Sequence, residues 1–247
     1  MEPVYRALEL TASLCVRATG TKLTFRRLEN IPAAGGAVVT VNHTSYVDFL
    51  PAGLAAAARH RRLRFMIKAE MQQVRSVNFL IRHTKTIPVD RSAGAHAYAD
   101  AVQELREGEL VAVYPEATIS RSFELKGFKS GAARMALEAD VPVVPLVVWG
   151  AHRIWTKDHP KSLGHNNFPV TVEVGPALPP TGTAEQLDGR IRSAMTTLLY
   201  RVQEDYDHPA GAYWVPRRLG GSAPTVAEAE RMEEAELAER ARRRAGS

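Results

Sequence analysis

Residues 37–59 read AVVTVNHTSYVDFLPAGLAAAAR. The first five residues are an apolar, β-branched run that is typical of a buried strand, and residues 49–59 have the composition of a helix. A short polar stretch separates the two, as expected where a strand leads into a helix through a loop. This strand–loop–helix unit is the basis of the fold prediction.

The same alternation continues on both sides of that unit. Further strands are predicted at 22–25, 63–67, 86–89, 110–114, 143–148 and 170–174, and further helices at 94–107, 130–139 and 184–206. Strands separated by helices favour a parallel sheet with helices on both faces. We therefore predict an α/β fold with a mostly parallel, roughly seven-stranded sheet, whose site lies at the carboxyl ends of the strands.

The composition limits the class of protein and of partner. The chain has 247 residues, 45% of them hydrophobic, which suits one α/β domain. Its single cysteine, Cys15, excludes an internal disulfide, and no Cys/His cluster has zinc-site spacing. The net charge of +5 and the pI of about 9.5 suit an anionic partner, although a solvated basic surface is the simpler explanation. We find no basic-aromatic nucleic-acid module and expect no nucleic-acid partner.

Membrane contact is predicted to be peripheral, because no run approaches the roughly 18 consecutive apolar residues of a spanning helix. Residues 1–20 are predicted to form an amphipathic helix with an apolar stripe on 4–18. That helix either lies in a bilayer interface or packs on its own domain. Both alternatives stay open.

Residues 21–207 form the predicted central domain, and 208–247 an aromatic and basic segment followed by a charged tail. Tyr213 and Trp214 lie beside two arginines, a composition that suits lipid headgroups. Residues 225–244 are almost all Ala, Glu and Arg, with Thr225 and Glu228 at capping-box spacing. Because little apolar stripe is available for burial, we predict a solvated helix or a frayed tail.

The loop of the opening unit carries a candidate catalytic pair. His43 and Asp48 are five residues apart, so they could not pair on one continuous helix. They can pair if His43 lies in the loop and Asp48 in the first helical turn, with Ser45 as the N-cap. An Asp-oriented imidazole is a competent general base near neutral pH. Ser45 and Asp48 also have capping-box spacing, which requires no catalysis, so both explanations stay open.

Three further groups of residues lie at predicted strand ends. Asp90 and Arg91 follow one strand, and a guanidinium there can bind phosphate through two bonds. Glu116 and Arg121 follow another strand, ahead of the basic stretch 126–132 and a helix start that suits an anion. The last group is the apolar sequence VPVVP at 141–145. A surface ion pair, an ordinary loop and core packing are the simpler explanations.

Together, the four groups resemble in order and spacing the sequence blocks of the lysophosphatidic acid acyltransferase family. The matching residues are His43 and Asp48 for its His-four-residues-Asp block, Asp90–Arg91 for its block ending in Asp-Arg, 114–119 (YPEATI) for its Phe-Pro-Glu-Gly-Thr-Arg block, and 141–145 for its Val-Pro-Val-Val-Pro block. The resemblance covers roughly residues 20–205, and the chain is similar to actinobacterial members.

The resemblance implies an enzyme of phospholipid biosynthesis. It would move an acyl group from acyl-CoA or acyl-carrier protein to the free hydroxyl of 1-acyl-glycerol-3-phosphate, giving phosphatidic acid. The implied catalytic residues are His43 and Asp48, and the implied substrate-binding residues are Arg91, Glu116, Thr118, Arg121 and Lys68. The resemblance implies no metal and no cofactor besides the thioester substrate. It also implies a peripheral position on the cytoplasmic face of the cell membrane, against anionic lipids.

Two departures from the family pattern affect the acceptor. Ala117 stands where the family usually has Gly, and Ile119 where it usually has an Arg implied to bind phosphate. Either Arg121 replaces that Arg, or the acceptor headgroup differs. The alternative acceptor is another lysophospholipid or a phosphatidylinositol mannoside-type glycolipid.

Two other classes of function also stay open. A lipid hydrolase would use Ser45 or Ser120 with His43 and Asp48, although no Gly-x-Ser-x-Gly elbow is present. A non-catalytic lipid- or nucleic-acid-binding protein would use the basic surface and would not need His43.

Overall fold

The structure is a computed structural model, in which the described residues are 3–73, 75–89 and 94–245. The strands are β1 (Lys22–Arg26), β2 (Ala37–Val41), β3 (Leu63–Lys68), β4 (Ile87–Val89), β5 (Leu110–Val113), β6 (Val143–Trp149) and β7 (Pro169–Val174). The helices are α1 (Pro3–Ala18), α2 (Phe49–Ala57), α3 (Arg75–Thr84), α4 (Gly94–Arg106), α5 (Gly131–Ala139), α6 (Ala184–Glu204) and α7 (Val226–Ala245). Every predicted strand is present, with bounds shifted by one residue at most.

The strands form one sheet in the order β1-β7-β6-β2-β5-β3-β4. β2 is central and pairs in parallel with β5 and β6, while β3 pairs in parallel with β5 and β4. The antiparallel pair is β6 with β7, so β7 and its parallel neighbour β1 run opposite to the other five strands. The predicted mostly parallel, seven-stranded sheet is thus confirmed.

Both faces of the sheet are covered by helices. Val38 and Val111 belong to an apolar cluster with α4, α5 and α6, whereas Val39 and Ala112 belong to one with α2. Every residue of β2 and of β5 is buried. This two-sided burial explains why these strands are apolar at successive positions rather than alternating.

The amino-terminal helix α1 packs on the domain through one face. Tyr5 and Ala12 are buried, and the Tyr5 hydroxyl hydrogen-bonds both the main-chain nitrogen and oxygen of Leu63, each at 3.1 Å. Leu10 and Leu14 instead remain 65% and 66% exposed. The packing alternative is therefore confirmed for one face of α1. Contact of the exposed face with a bilayer stays a prediction.

The segment after α6 returns to the domain. Trp214 is 7% exposed and lies in a cluster with Trp149 and Tyr206, with the Arg153 guanidinium 4.4 Å from its ring centroid. The prediction that the Trp214 ring contacts lipid headgroups is wrong, because the ring is buried in this cluster. Tyr213 stays 40% exposed and stacks on His159.

The charged tail forms the helix α7. The Thr225 main-chain nitrogen donates to Glu228 at 2.8 Å, and the Glu228 nitrogen donates to Thr225 Oγ1 at 3.2 Å. The predicted capping box is therefore present, and it satisfies the first amide groups of the helix without help from the domain.

One helix was not predicted from the sequence. Polar residues interrupt the apolar positions of α3, among them Arg75, Asn78 and Arg82, and Ile81 is buried at 5% exposure. Among the residues that the structure describes, no helix has both the length and the apolar character needed to cross a bilayer.

Candidate active site

The predicted catalytic pair meets just beyond the carboxyl end of β2. His43 lies in the loop and Asp48 immediately precedes α2, with His43 Nδ1 and Asp48 Oδ2 3.2 Å apart. The His43 side chain is 20% exposed, whereas that of Asp48 is fully buried. A carboxylate on Nδ1 orients the ring and leaves Nε2 for a reactant. Within the described part of the chain, no group hydrogen-bonds Nε2.

Asp48 is held by main-chain amides as well as by the histidine. Its Oδ2 accepts from the nitrogens of Thr44 at 2.9 Å and Ser45 at 2.8 Å. Burial raises the pKa of Asp48, and the hydrogen bonds from His43, Ser45 and Thr44 oppose that effect. Asp48 therefore folds the loop back on itself and fixes the imidazole with the same oxygen.

Ser45 does not cap α2, so that part of the prediction is wrong. Asp48 occupies the N-cap position, and its side chain makes no capping bond to the helix. The single hydroxyl hydrogen of Ser45 is instead shared between the carbonyls of Trp155 at 2.7 Å and Ala151 at 3.1 Å. The hydroxyl ties the loop to the end of β6, because β2 and β6 are adjacent and their carboxyl ends share one edge.

The serines that a hydrolase would need are engaged elsewhere. Ser120 Oγ donates to the Glu124 carbonyl at 2.7 Å and lies 3.0 Å from Ser122 Oγ. In the described structure, neither Ser45 nor Ser120 hydrogen-bonds the His43 ring. The geometry therefore does not support a Ser–His–Asp triad.

Aromatic side chains flank the predicted catalytic histidine, His43. Tyr114, at the end of β5, stacks on His43 with ring centroids 4.0 Å apart, and Phe65 stacks on Tyr114 at 6.3 Å. Burial, together with the Asp48 charge, raises the pKa of Tyr114 well above its ordinary value. The phenol is therefore neutral, and these side chains offer an apolar surface beside the imidazole.

Glu116 joins the loop that carries His43 to the loop after β5. It is 4% exposed and accepts from the main-chain nitrogens of His43 at 2.8 Å and Lys126 at 3.1 Å. Burial raises the pKa of Glu116 to about 7, against the effect of those two amides and of the Lys126 charge. This geometry makes Glu116 a brace between the main chains of the two loops.

Ala117 adopts a backbone conformation that favours glycine. Its φ is 61°, in the left-handed region where the Cβ atom of an L-residue is strained. This explains why glycine would suit the position. Ile119, at the position implied to hold an Arg, is 4% exposed and packs into the protein.

The remaining polar residues of this loop meet side chains of α7. Thr118 Oγ1 donates to Glu233 Oε1 at 2.5 Å, and Lys126 Nζ lies 2.7 Å from Glu233 Oε2. Arg121 pairs with Asp158 at 2.5 Å and with Glu236 at 2.8 Å. The structure thus brings Thr118 and Arg121 together with a helix whose position was not predicted.

For two predicted substrate ligands, Lys68 and Arg91, the structure describes only the strands next to them or carrying them. Lys68 is the last residue of β3 and pairs in register with Val89 of β4, at the same sheet edge as His43. Its side chain lies outside the described structure, as do Asp90 and Arg91. Their predicted roles stay predictions.

Comparison with known proteins shows which family this site belongs to. A model of the Acyltransferase family matches residues 22–149, more than half of the chain and the span that carries His43, Asp48 and Glu116. The chain belongs to the acyltransferase family. The resemblance drawn from the four sequence blocks is thereby confirmed.

Curated relatives of this acyltransferase are named 1-acyl-sn-glycerol-3-phosphate acyltransferases. One from Chlamydomonas reinhardtii is 30% identical over 182 residues, 72% of this chain and 53% of its own length. One from Bacillus subtilis is 29% identical over 49% of this chain and 60% of its own length. The chain therefore matches little more than half the length of these relatives.

A solved structure shares the fold. The crystal structure of the 1-acyl-sn-glycerophosphate acyltransferase of Thermotoga maritima aligns with a TM-score of 0.70 at 21% identity, covering 83% of this chain and 82% of that one. The α/β architecture of this acyltransferase is therefore that of a known member.

Proposed function

We propose that this acyltransferase moves a fatty acyl group from an acyl thioester to the free hydroxyl of 1-acylglycerol-3-phosphate, giving phosphatidic acid. The observation that carries the proposal is the 3.2 Å contact of His43 with a buried Asp48 at the carboxyl edge of the sheet. The names of the curated relatives support the same acceptor. The donor is acyl-CoA or acyl-carrier protein, and no cofactor is required.

The proposed reaction is a direct transfer. Nδ1–H of His43 donates to Asp48, so Nε2 carries the lone pair and accepts the proton of the acceptor hydroxyl. The hydroxyl oxygen bonds to the thioester carbonyl carbon, the carbon–sulfur bond breaks, and the departing thiolate recovers the proton from the imidazolium. Buried Asp48 stabilises that imidazolium while it exists. A thioester is already activated, so general base catalysis and positioning can supply the remaining acceleration.

The test is an assay of the purified full chain on a panel of acceptors. The panel holds 1-acylglycerol-3-phosphate, other lysophospholipids and a phosphatidylinositol mannoside, each with acyl-CoA and with acyl-carrier protein. Mass spectrometry should find phosphatidic acid as the main product. Transfer confined to the glycolipid would overturn the acceptor assignment, and release of free fatty acid without transfer would favour a hydrolase.

We also propose that the enzyme reaches its lipid acceptor at an anionic membrane surface, on the cytoplasmic face, through the exposed side of α1. Leu10 and Leu14 lie four residues apart and project from the helix, and they are both about two-thirds exposed. Apolar side chains on such a helix insert at the headgroup boundary, while basic residues add attraction to anionic lipid.

The membrane proposal is tested by vesicle co-sedimentation. Leu10→Ser with Leu14→Ser should lower binding to phosphatidylglycerol vesicles, and added salt should lower the binding of the unmodified chain. Leu163→Ser, at a loop leucine that is 62% exposed, is the matched control. Equal binding by all three proteins would overturn the role of α1.

A further inference from the structure

The carboxy-terminal helix α7 is attached to the enzyme mainly through its charges. Ala229 is buried at 3% exposure, but Met232 and Leu237 are 41% and 51% exposed. A helix with so little apolar burial gains little from the hydrophobic effect. Something other than apolar packing must hold the helix where it lies.

Two acidic residues supply that attachment. Glu233 and Glu236 are three residues apart, so both project from the same face of α7. Glu233 accepts from Thr118 and pairs with Lys126, while Glu236 pairs with Arg121 at 2.8 Å and with Lys157 at 3.2 Å. Burial alone would raise the pKa of Glu233, but Lys126 and Thr118 hold it below its ordinary value.

The three basic residues are withdrawn from solvent beneath the helix. Their side chains are only 7% (Lys126), 10% (Arg121) and 14% (Lys157) exposed. Asp158 neutralises one of these three charges, since it pairs with Arg121. The two carboxylates of α7 balance the other two. A phosphate monoester carries a charge of about −1.5 to −2 at neutral pH, which matches the charge of that pair of carboxylates.

This cationic cluster lies in a part of the chain that is bonded to the main chain of His43. Lys126 is tied through Glu116 to the main chain of His43, because Glu116 accepts from both amides. Thr118 and Arg121 lie in the same loop, whose Ser120 nitrogen donates to the His43 carbonyl at 2.8 Å. An anion bound by the cluster therefore contacts the loop after β5, which hydrogen-bonds the main chain of the His43 loop.

We propose that α7 is a tethered anionic cap, whose Glu233 and Glu236 carboxylates occupy the anion site of the acceptor and are displaced by its phosphate monoester. Lys126, Arg121 and Lys157, with the Thr118 hydroxyl, are the ligands that the phosphate takes over. Guanidinium and ammonium groups bind phosphate and carboxylate oxygens through the same charged hydrogen bonds. The identity of the displacing group rests on the proposed function.

The cap can leave as an intact helix. Its first turn is satisfied by its own capping box, and residues beyond Glu236 are exposed wherever their side chains are described. Ala223, just before the helix, is fully buried, so the tether stays fixed while the helix moves.

The first experiment compares two double variants of the full chain. Glu233→Gln with Glu236→Gln removes the competing charges while keeping side-chain shape. Glu230→Gln with Glu234→Gln makes the same change in net charge at exposed positions of α7. Titration with glycerol 3-phosphate should show roughly tenfold tighter binding to the first variant and unchanged binding to the second. Weaker or equal binding to the first variant would show that α7 is not a competitor.

The second experiment follows α7 in the unmodified chain by hydrogen exchange. Glycerol 3-phosphate should accelerate exchange in 226–239, and glycerol should not. If phosphatidylglycerol vesicles accelerate exchange and glycerol 3-phosphate does not, the displacing anion is the membrane surface and the acceptor assignment is overturned. This measurement does not depend on any variant folding.

Kinetics separate the cap from the proposed function. The Glu233→Gln, Glu236→Gln enzyme should have a lower KM for 1-acylglycerol-3-phosphate and an unchanged KM for the thioester. An enzyme that uses only phosphate-free acceptors would overturn the proposed function, and the titration would still test the cap because it needs no turnover.

Discussion

The two sides of the candidate active site are built in different ways. On the histidine side, Asp48 contacts His43, Thr44 and Ser45, all within five residues of itself, and it is fully buried. On the cationic side, Lys126 and Arg121 pair with Glu233 and Glu236, which lie 107 and 115 residues further along the chain. The side chains of these two glutamates are partly exposed to solvent.

The two sides therefore differ in whether their partners can be exchanged for other groups. The histidine side relies on hydrogen bonds from main-chain amides to a buried carboxylate, which hold one geometry. The cationic side relies on ion pairs, which an incoming anion can replace with bonds of the same kind. Under the two proposals, the reacting group is held rigidly, while the groups that bind the acceptor phosphate exchange one anion for another.

The largest expected effect is on the histidine side. His43→Ala should lower turnover by about 100–10,000-fold while leaving the protein folded, because the general base is lost. Asp48→Asn should cause a similar or smaller loss, since the imidazole remains but loses its orientation. Steady-state kinetics measure both, with the exposed His96→Ala as the control. Wild-type turnover in His43→Ala would refute the mechanism.

The next effect concerns Glu116, which joins the two sides. Its pKa is raised by burial from 4.5 to about 7. The pKa of Glu116 is higher in the folded protein than in the unfolded chain. The contribution of Glu116 to the free energy of unfolding is therefore complete below pH 4.5 and is lost as the pH rises through about 7.

The pH dependence of the free energy of unfolding is measured against the Glu116→Gln variant, in which this side chain cannot titrate. From pH 4.5 to 7, the free energy of unfolding of the wild type should fall relative to the variant by up to about 1.4 kcal/mol per pH unit. Denaturant melts across the range give the difference. A difference independent of pH would show that Glu116 stays ionised in the folded protein.

A smaller effect is expected on the cationic side. Arg121→Ala should raise the KM for the acceptor by about tenfold and leave the KM for the donor unchanged, because one charged hydrogen-bonding group is lost. Arg231→Ala, exposed on α7, is the control. Equal changes in both KM values would place Arg121 outside acceptor recognition.

The smallest effect is expected at Ala117, the residue after Glu116. Ala117→Gly should stabilise the protein by about 1 kcal/mol, since glycine adopts a φ of 61° without strain. Ala227→Gly, in the exposed first turns of α7, should have the opposite sign. Thermal melts of both variants compare the two, and destabilisation at both sites would mean that Ala117 carries no strain.

Prediction from sequence succeeded where the deciding interactions are local. The strands are continuous apolar runs, and His43 and Asp48 are separated by a loop too short to allow many arrangements. The mostly parallel class of the sheet also followed from strands alternating with helices, whereas the strand order was not predicted. The bonding of Ser45 to Ala151 and Trp155 did not, because those carbonyls lie more than 100 residues away.

The same reason explains what was missed at the cationic side. Glutamates are frequent in α7, and periodicity alone does not distinguish Glu233 and Glu236 from Glu230 or Glu234. Which of them meets Lys126 and Arg121 depends on where the whole helix docks. Trp214 was misassigned in the same way, because an aromatic residue beside arginines looks alike in a core and at a surface.

The hydrogen bonds of α1 bear on the order in which the chain assembles. Tyr5 near one end bonds to Leu63 of β3, while Ala18 at the other end accepts from His165, just ahead of β7. A helix of 16 residues is about 24 Å long. Five strand spacings, from β3 to β1 at the far edge, also come to about 24 Å.

The helix α1 therefore extends across the strands, with hydrogen-bond partners near both edges of the sheet. It precedes all seven strands along the chain, yet it has no complete surface to dock on until β3 and the β7 region are in place. We expect α1 to be the last helix of the sheet domain to dock during folding, and the first to detach when the sheet loosens.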